Sequence, residues 1–156
     1  MTIGIDDPNR PDVLALLGEH LTDMYATSPI ESVHAVNPDA LAAPGFTFWT
    51  ARGEDAELLG CVALKELAPT DAELKSMRTA TSARGRGVGT ALLARVITEA
   101  TARGYRTIHL ETGTQDYFAP ARSLYERAGF VTCPPFADYR LDPHSAFYRL
   151  TLSTET

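Results

Sequence analysis

Cysteine is scarce in this chain of 156 residues: Cys61 and Cys133 are the only two, and they lie far apart. A disulfide framework is therefore not expected, and a reduced, cytoplasmic setting is. The opening "MTIGIDDPNR" has neither a basic n-region nor an apolar h-region, in keeping with that setting. Long apolar runs are missing too; none approaches the ~18–20 residues that cross a bilayer as a helix. Basic residues are outnumbered, 14 Lys and Arg against 20 Asp and Glu for a net charge of −6. That balance argues against a general binder of nucleic acid or anionic membrane, so any anion must be gripped locally. Four histidines show no H-x-x-x-H spacing, and no metal site is expected. With no internal repeat, low-complexity tract or interdomain linker, residues 1–156 read as one domain.

What the chain does have is an ordinary globular composition, 44% hydrophobic and 22% charged, enough to build a packed core. "TIGI" reads as a first strand and "RPDVLALLGEHLTDMYA" as a helix. Pro11 sits in that helix's first turn, and Val13, Leu14, Leu17, Leu21 and Met24 are spaced for one buried face. A proline-punctuated stretch follows, with a helical turn expected over Pro38 to Ala43. "FTFWTA", "ELLGCVALKEL" and "ELKSMRTA" then read as three strands with short links, an antiparallel meander.

From Gly87 the period changes. Val88, Leu92, Leu93, Val96, Ile97 and Ala100 recur at helical spacing, Glu99 and Arg103 form an i,i+4 pair, and Gly104 can end the helix. "RTIHLET" follows as a strand and "APARSLYERAG" as a helix, with "FVTC" and "SAFYRLTL" as closing strands. A β-α-β unit set inside a meander predicts an α/β or α+β architecture with a mixed sheet.

The most informative segment is Arg84-Gly85-Arg86-Gly87-Val88-Gly89, placed where a strand hands over to a helix. Backbone N–H groups without helical partners converge there, glycines let a ligand approach, and the helix N-terminus favours an anion. Arg84 and Arg86 can add charge-assisted contacts. A P-loop would need Gly-Lys-Ser/Thr, and here Gly89 is followed by Thr90 and Ala91. A G-x-G-x-x-G fingerprint begun at Gly85 would need glycine where Thr90 stands. Arg/Gln-x-x-Gly-x-Gly/Ala remains, and Arg84, Gly87 and Gly89 fill it.

In this loop, and in Leu124, Tyr125, Gly129 and Phe130 as Leu-Tyr-x-x-x-Gly-Phe, the sequence resembles the GNAT superfamily of N-acetyltransferases from about Glu57 to Val131. The resemblance implies a mostly antiparallel sheet flanked by helices, with a β-α-β core that binds acetyl-CoA. It assigns the cosubstrate's contacts to Met77, Arg78 and Thr79 and to the loop residues Arg84, Gly85, Arg86, Gly87, Val88, Gly89 and Thr90. Backbone amides around Met77 to Thr79 would meet the oxyanion.

Two catalytic candidates follow from the same resemblance. Glu73, eleven residues before Arg84, is the candidate base; strand alternation puts it on one face with Lys75 and Met77, where Lys75 can lower its pKa or pair with it. Bound water is the alternative base. Tyr125 is the candidate acid for the departing thiolate, although Ala121, Leu124, Tyr125 and Ala128 also form an ordinary core stripe. Phe118 stands where many relatives carry asparagine, leaving a polar contact absent or replaced by Gln115 or backbone.

Acceptor specificity is expected outside this core. Glu31 and His34 in one predicted loop, and Asp138, Tyr139, Arg140 and His144 in another, are the candidates. Arg140 can hold a carboxylate and Asp138 or Glu31 an ammonium, the two charges of an amino acid or small peptide. The partner expected is thus a small-molecule amine, with a homodimer implied by the family. A CoA-binding module without turnover and an acetyltransferase of protein amines are the competing readings.

Overall fold

The computed structural model describes residues 1–29 and 37–152; the candidates Glu31 and His34 lie outside them. Seven strands form one sheet in the order β1-β2-β3-β4-β5-β7-β6. These are β1 (Thr2–Ile5), β2 (Phe46–Arg52), β3 (Leu58–Ala68), β4 (Asp71–Thr79), β5 (Thr107–Gly113), β6 (Val131–Thr132) and β7 (Ser145–Thr151). Every neighbouring pair is antiparallel except β4 and β5, which run parallel because α3 (Val88–Ala102) carries the chain across between them. The expected meander with one β-α-β unit is therefore the observed topology.

Helices cover both faces. On one, α3 buries Val88, Leu92, Leu93, Val96 and Ala100 against Leu64, Leu74, Ile108 and Leu110, joined by Tyr125 of α4 (Ala119–Arg127). Each large side chain so buried stabilises the fold by about 1.5–3 kcal/mol. On the other, α1 (Pro11–Thr27) and α2 (Pro38–Leu41) set Val13, Leu16, Leu17 and Leu41 on Phe48, Cys61 and Ala63.

Two expectations change here. Leu14 does not join the core; it is 41% exposed, and Leu16 takes its place. The stripe of α1 that meets the sheet is Val13, Leu16 and Leu17, while the neighbouring stripe of Leu14, Leu21 and Met24 faces a cavity. Nor does Met77 share the face of Glu73 and Lys75. Ser76 has φ +54°, and the register with β3 slips between Cys61 and Ala63. This bulge inserts one residue into β4, reverses the alternation and sends Met77 to the α3 side.

The most consequential feature is a split. β4 and β5 pair only through Asp71–Thr107, Ala72–Ile108 and Glu73–His109. Beyond Glu73 the strands part, β4 staying with β3 and β5 with β7. Amides that face into the gap have no strand partner there, which opens the sheet for a ligand.

Candidate active site

The glycine loop closes one end of the split. Gly85 and Gly87 have φ of +77° and +78°, conformations that a side chain resists, and Gly87 caps α3 with no side chain in the way of its first amides. A groove of about 600 Å³ runs from these amides to Tyr125. Met77, Arg78, Thr79, Arg84, Gly85, Gly87, Val88, Gly89 and Thr90 all line it. Arg86 does not, because the two left-handed glycines on either side carry it outward and leave it exposed. The Val88 side chain is buried in the core, so only its backbone faces the groove.

Arg78 has a structural engagement the sequence did not suggest. Its guanidinium is 6% exposed, pairs with Asp23 at 2.7 Å and donates to the Tyr117 hydroxyl at 2.8 Å, while that hydroxyl donates to Asp23 at 2.9 Å. The end of α1 is thereby tied across the groove to the turn preceding α4.

A second cavity of about 250 Å³ opens on the α1 face of the split. Leu14, Leu17, Leu21 and Met24 make its apolar wall; Glu73, Lys75, Glu111, Tyr139 and His144 make its polar floor. The cavity and the groove share His20, Met77, Phe118, Ala121 and Tyr125. Tyr125 thus stands at their junction. Its hydroxyl makes no hydrogen bond among the described residues, and burial together with the Glu111 charge raises its pKa, so it keeps its proton at neutral pH.

Glu73 is held rather than free. Buried at 2% exposure, its Oε2 accepts from Lys75 Nζ at 3.0 Å and from the Tyr139 hydroxyl at 2.6 Å, and Lys75 donates to that hydroxyl at 2.9 Å. Rings at 5–6 Å hold Tyr139 in turn: Phe136 at 5.0 Å and Phe147 at 5.7 Å. Burial first, then the Glu73 carboxylate, keeps the Tyr139 phenol protonated. On the far side of this triad an outer cavity of about 370 Å³ is lined by Lys65, Asp138, Arg140 and Asp142. Asp138 and Arg140 are exposed there, so of the four loop candidates Tyr139 and His144 reach the inner cavity.

Two residues at the inner cavity were missed by the sequence reading. Glu111 lies on β5 two residues past the last pair with β4, and Ser145 donates to its Oε2 at 2.8 Å. Burial, opposed by that hydrogen bond and by Lys75, pushes its carboxyl up to about 7. His20 faces the junction from α1 with Nδ1 unpartnered; burial and the Arg78 charge push it down to about 4, so its ring is neutral. Alternation along "RTIHLET" could have put Glu111 on the face of Glu73, but nothing local marks the strand as parting from its neighbour.

Among the described residues no three His, Cys, Asp or Glu side chains cluster together, and Cys61 donates its thiol to Ser76 O at 3.3 Å, with burial raising its pKa to about 12. Gln115 turns its amide to His144 at 3.2 Å, away from the groove, and Phe118 lies at the junction where a polar side chain was looked for.

Comparison with known proteins bears on the family and the fold. The acetyltransferase (GNAT) family model matches residues 13–130. The uncharacterized N-acetyltransferase YsnE of Bacillus subtilis is 49% identical over 94% of this chain and 97% of its own. The uncharacterized N-acetyltransferase YedL of Escherichia coli is 46% identical over 97% of this chain and 94% of its own. Among solved structures, a Klebsiella pneumoniae protein described as an acyl-CoA N-acyltransferase superposes with a TM-score of 0.79 at 28% identity, covering 97% of each chain. A GNAT acetyltransferase of Elizabethkingia anophelis with acetyl-CoA bound superposes at 0.69 and 19% identity, covering 97% of each, a likeness of fold.

Proposed function

The chain belongs to the GNAT acetyltransferase family, whose cosubstrate is acetyl-CoA, and from that premise we propose that it transfers the acetyl group to the primary amine of a small molecule by direct attack in a ternary complex. One observation carries this reading: the loop groove and the α1-side cavity are separate and meet at Tyr125. Donor and acceptor can then be present together, with the thioester carbonyl at the junction.

In this proposal the pyrophosphate lies on the amides of Gly85 to Thr90, with Arg84 beside it, and the pantetheine arm runs along Met77 to Thr79 in the split. Unpaired amides of β4 meet the oxyanion as it forms. Tyr125, protonated and unpartnered, gives its proton to the leaving thiolate. A cavity of about 250 Å³ suits a small acceptor, below the roughly 300–1,000 Å³ common for drug-sized ligands. Its apolar wall favours an amine with an apolar body, whose ammonium is drawn to Glu73 and Glu111. A carboxylate on the same molecule would extend toward Lys65 and Arg140 in the outer cavity. The edge strands β1 and β6 offer routes to a homodimer, and free cysteines suit a cytoplasmic enzyme.

The test is acceptor-dependent release of CoA thiol from acetyl-CoA over a panel of apolar amines, amino acids, polyamines, aminoglycosides and short peptides. Release with small apolar amines or amino acids is the expected result. Acetyl-CoA binding with no release across the panel would overturn it.

A further inference from the structure

We propose that Glu111, not Glu73, is the catalytic residue that takes the proton from the acceptor amine. The proposal rests on the transferase reading above and names a residue of that same site.

Three features of the geometry point to it. First, position: Glu111 lies in the parted section of β5, past the last pair with β4, so it faces the space that donor and acceptor must share. Second, availability: among the described residues its carboxylate accepts one hydrogen bond, from Ser145 to Oε2, and Oε1 is left for a ligand. Glu73 also leaves Oε1 without a hydrogen bond among the described residues, but its Oε2 accepts from both Lys75 and Tyr139, so that carboxylate is already paired with an ammonium. Third, company: Glu111 and Tyr125 line the same cavity and act on each other electrostatically. A proton acceptor and a proton donor therefore flank one reacting centre.

The groups facing Glu111 set its proton affinity. From β4 come Lys75 and Glu73, from the loop before β7 Tyr139, Asp142 and His144, from β7 Ser145, from α4 Tyr125, and from α1 across the cavity the neutral His20. Burial outweighs Ser145 and Lys75, and the neighbouring Glu73 and Asp142 add to it, so the carboxyl titrates at about 7. A base matched to neutral pH is the efficient one. Glu73 then becomes a positioning residue: with Lys75 it holds Tyr139 and supplies charge that attracts the ammonium.

The step balances. Glu111 carboxylate takes one proton from R–NH3+, the lone pair of R–NH2 attacks the thioester carbon, and a C–N bond forms as the carbonyl becomes an oxyanion. Collapse breaks the C–S bond. Tyr125 delivers its proton to sulfur and recovers one from the nitrogen of the collapsing adduct, giving the acetamide and CoA thiol, and the proton on Glu111 passes to water.

Carbon-13 NMR of protein labelled at glutamate Cδ tests the assignment without any acceptor. One carboxyl resonance is expected to titrate near 7, to vanish in Glu111→Gln, and to move to higher pH in Ser145→Ala, which loses the hydrogen bond favouring the ionised form. Absence of such a resonance, or its persistence in Glu111→Gln, would overturn the proposal even if the enzyme acetylates amines. With phenethylamine as acceptor, Glu111→Gln is expected to lower kcat roughly 10²–10⁴-fold and abolish the acidic limb near 7 in kcat/KM. Glu73→Gln is expected to raise the acceptor KM and keep that limb. Loss of the limb in Glu73→Gln and its retention in Glu111→Gln would restore Glu73 as the base.

Discussion

Replacing Glu111 by glutamine is expected to slow the enzyme and stabilise the fold, and the second effect can be worked from the structure. Burial raises the carboxyl from its ordinary 4.5 to about 7 in the folded chain. The folded state thus holds the proton more tightly than the unfolded one, so the stabilising linkage is fully present below pH 4.5 and is lost as pH rises through 7. At about 1.36 kcal/mol per pH unit of separation, the ionised carboxylate costs about 3 kcal/mol at pH 8 as an upper limit. Water reaching the cavity screens part of this, leaving about 2 kcal/mol. For a chain of this size that corresponds to about 4–8 °C in Tm. Glutamine has no charge to desolvate, so the Tm of Glu111→Gln relative to the native protein should climb by that amount between pH 4.5 and 8. Any loss of the Ser145 hydrogen bond adds only a constant offset. Thermal unfolding followed by circular dichroism across that pH range makes the measurement. A difference that stays flat with pH, or falls as pH rises, would refute the reasoning.

Tyr125→Phe is expected to reduce kcat roughly 100-fold or more while acetyl-CoA affinity, measured by calorimetry, stays nearly intact. Arg140→Ala should raise KM several-fold for a carboxylate-bearing amine, and leave an amine without a carboxylate unaffected, in steady-state kinetics with both acceptors. Gly87→Ala forces a side chain into φ +78° and should cost about 1–2 kcal/mol, read from the urea unfolding midpoint, and weaken acetyl-CoA binding as the loop distorts.

Much of the donor side was legible in the chain because its signals are local. Arg84, Gly87 and Gly89 fall at fixed offsets within one loop, and the apolar period from Val88 to Ala100 identifies α3 and its buried face. Gly85 and Gly87 are glycines because the backbone there is left-handed. Leu124 and Tyr125 lie one turn inside a helix whose end Gly129 marks, again over a few residues. Such features survive reading one residue after another, since each depends on neighbours within a turn.

The acceptor side is a product of tertiary structure. Leu14 looked like core because helical spacing reports which residues share a face, not where that face stops meeting the sheet. The bulge at Ser76, one residue wide, reversed the alternation that had grouped Met77 with Glu73. Glu111 and Ser145, 34 residues apart, met only because β5 and β7 pair, and Glu111 lines the inner cavity because β4 and β5 part after Glu73. Tyr139 likewise reached Glu73 across 66 residues on a platform of aromatic rings. The sequence by itself determined the strands, the helices, the glycine loop at the start of α3 and the family, because these follow from short-range periodicity and from backbone freedom at glycine. Which carboxylates come together at the inner cavity was decided by the splitting of the sheet, a long-range event written in no single segment.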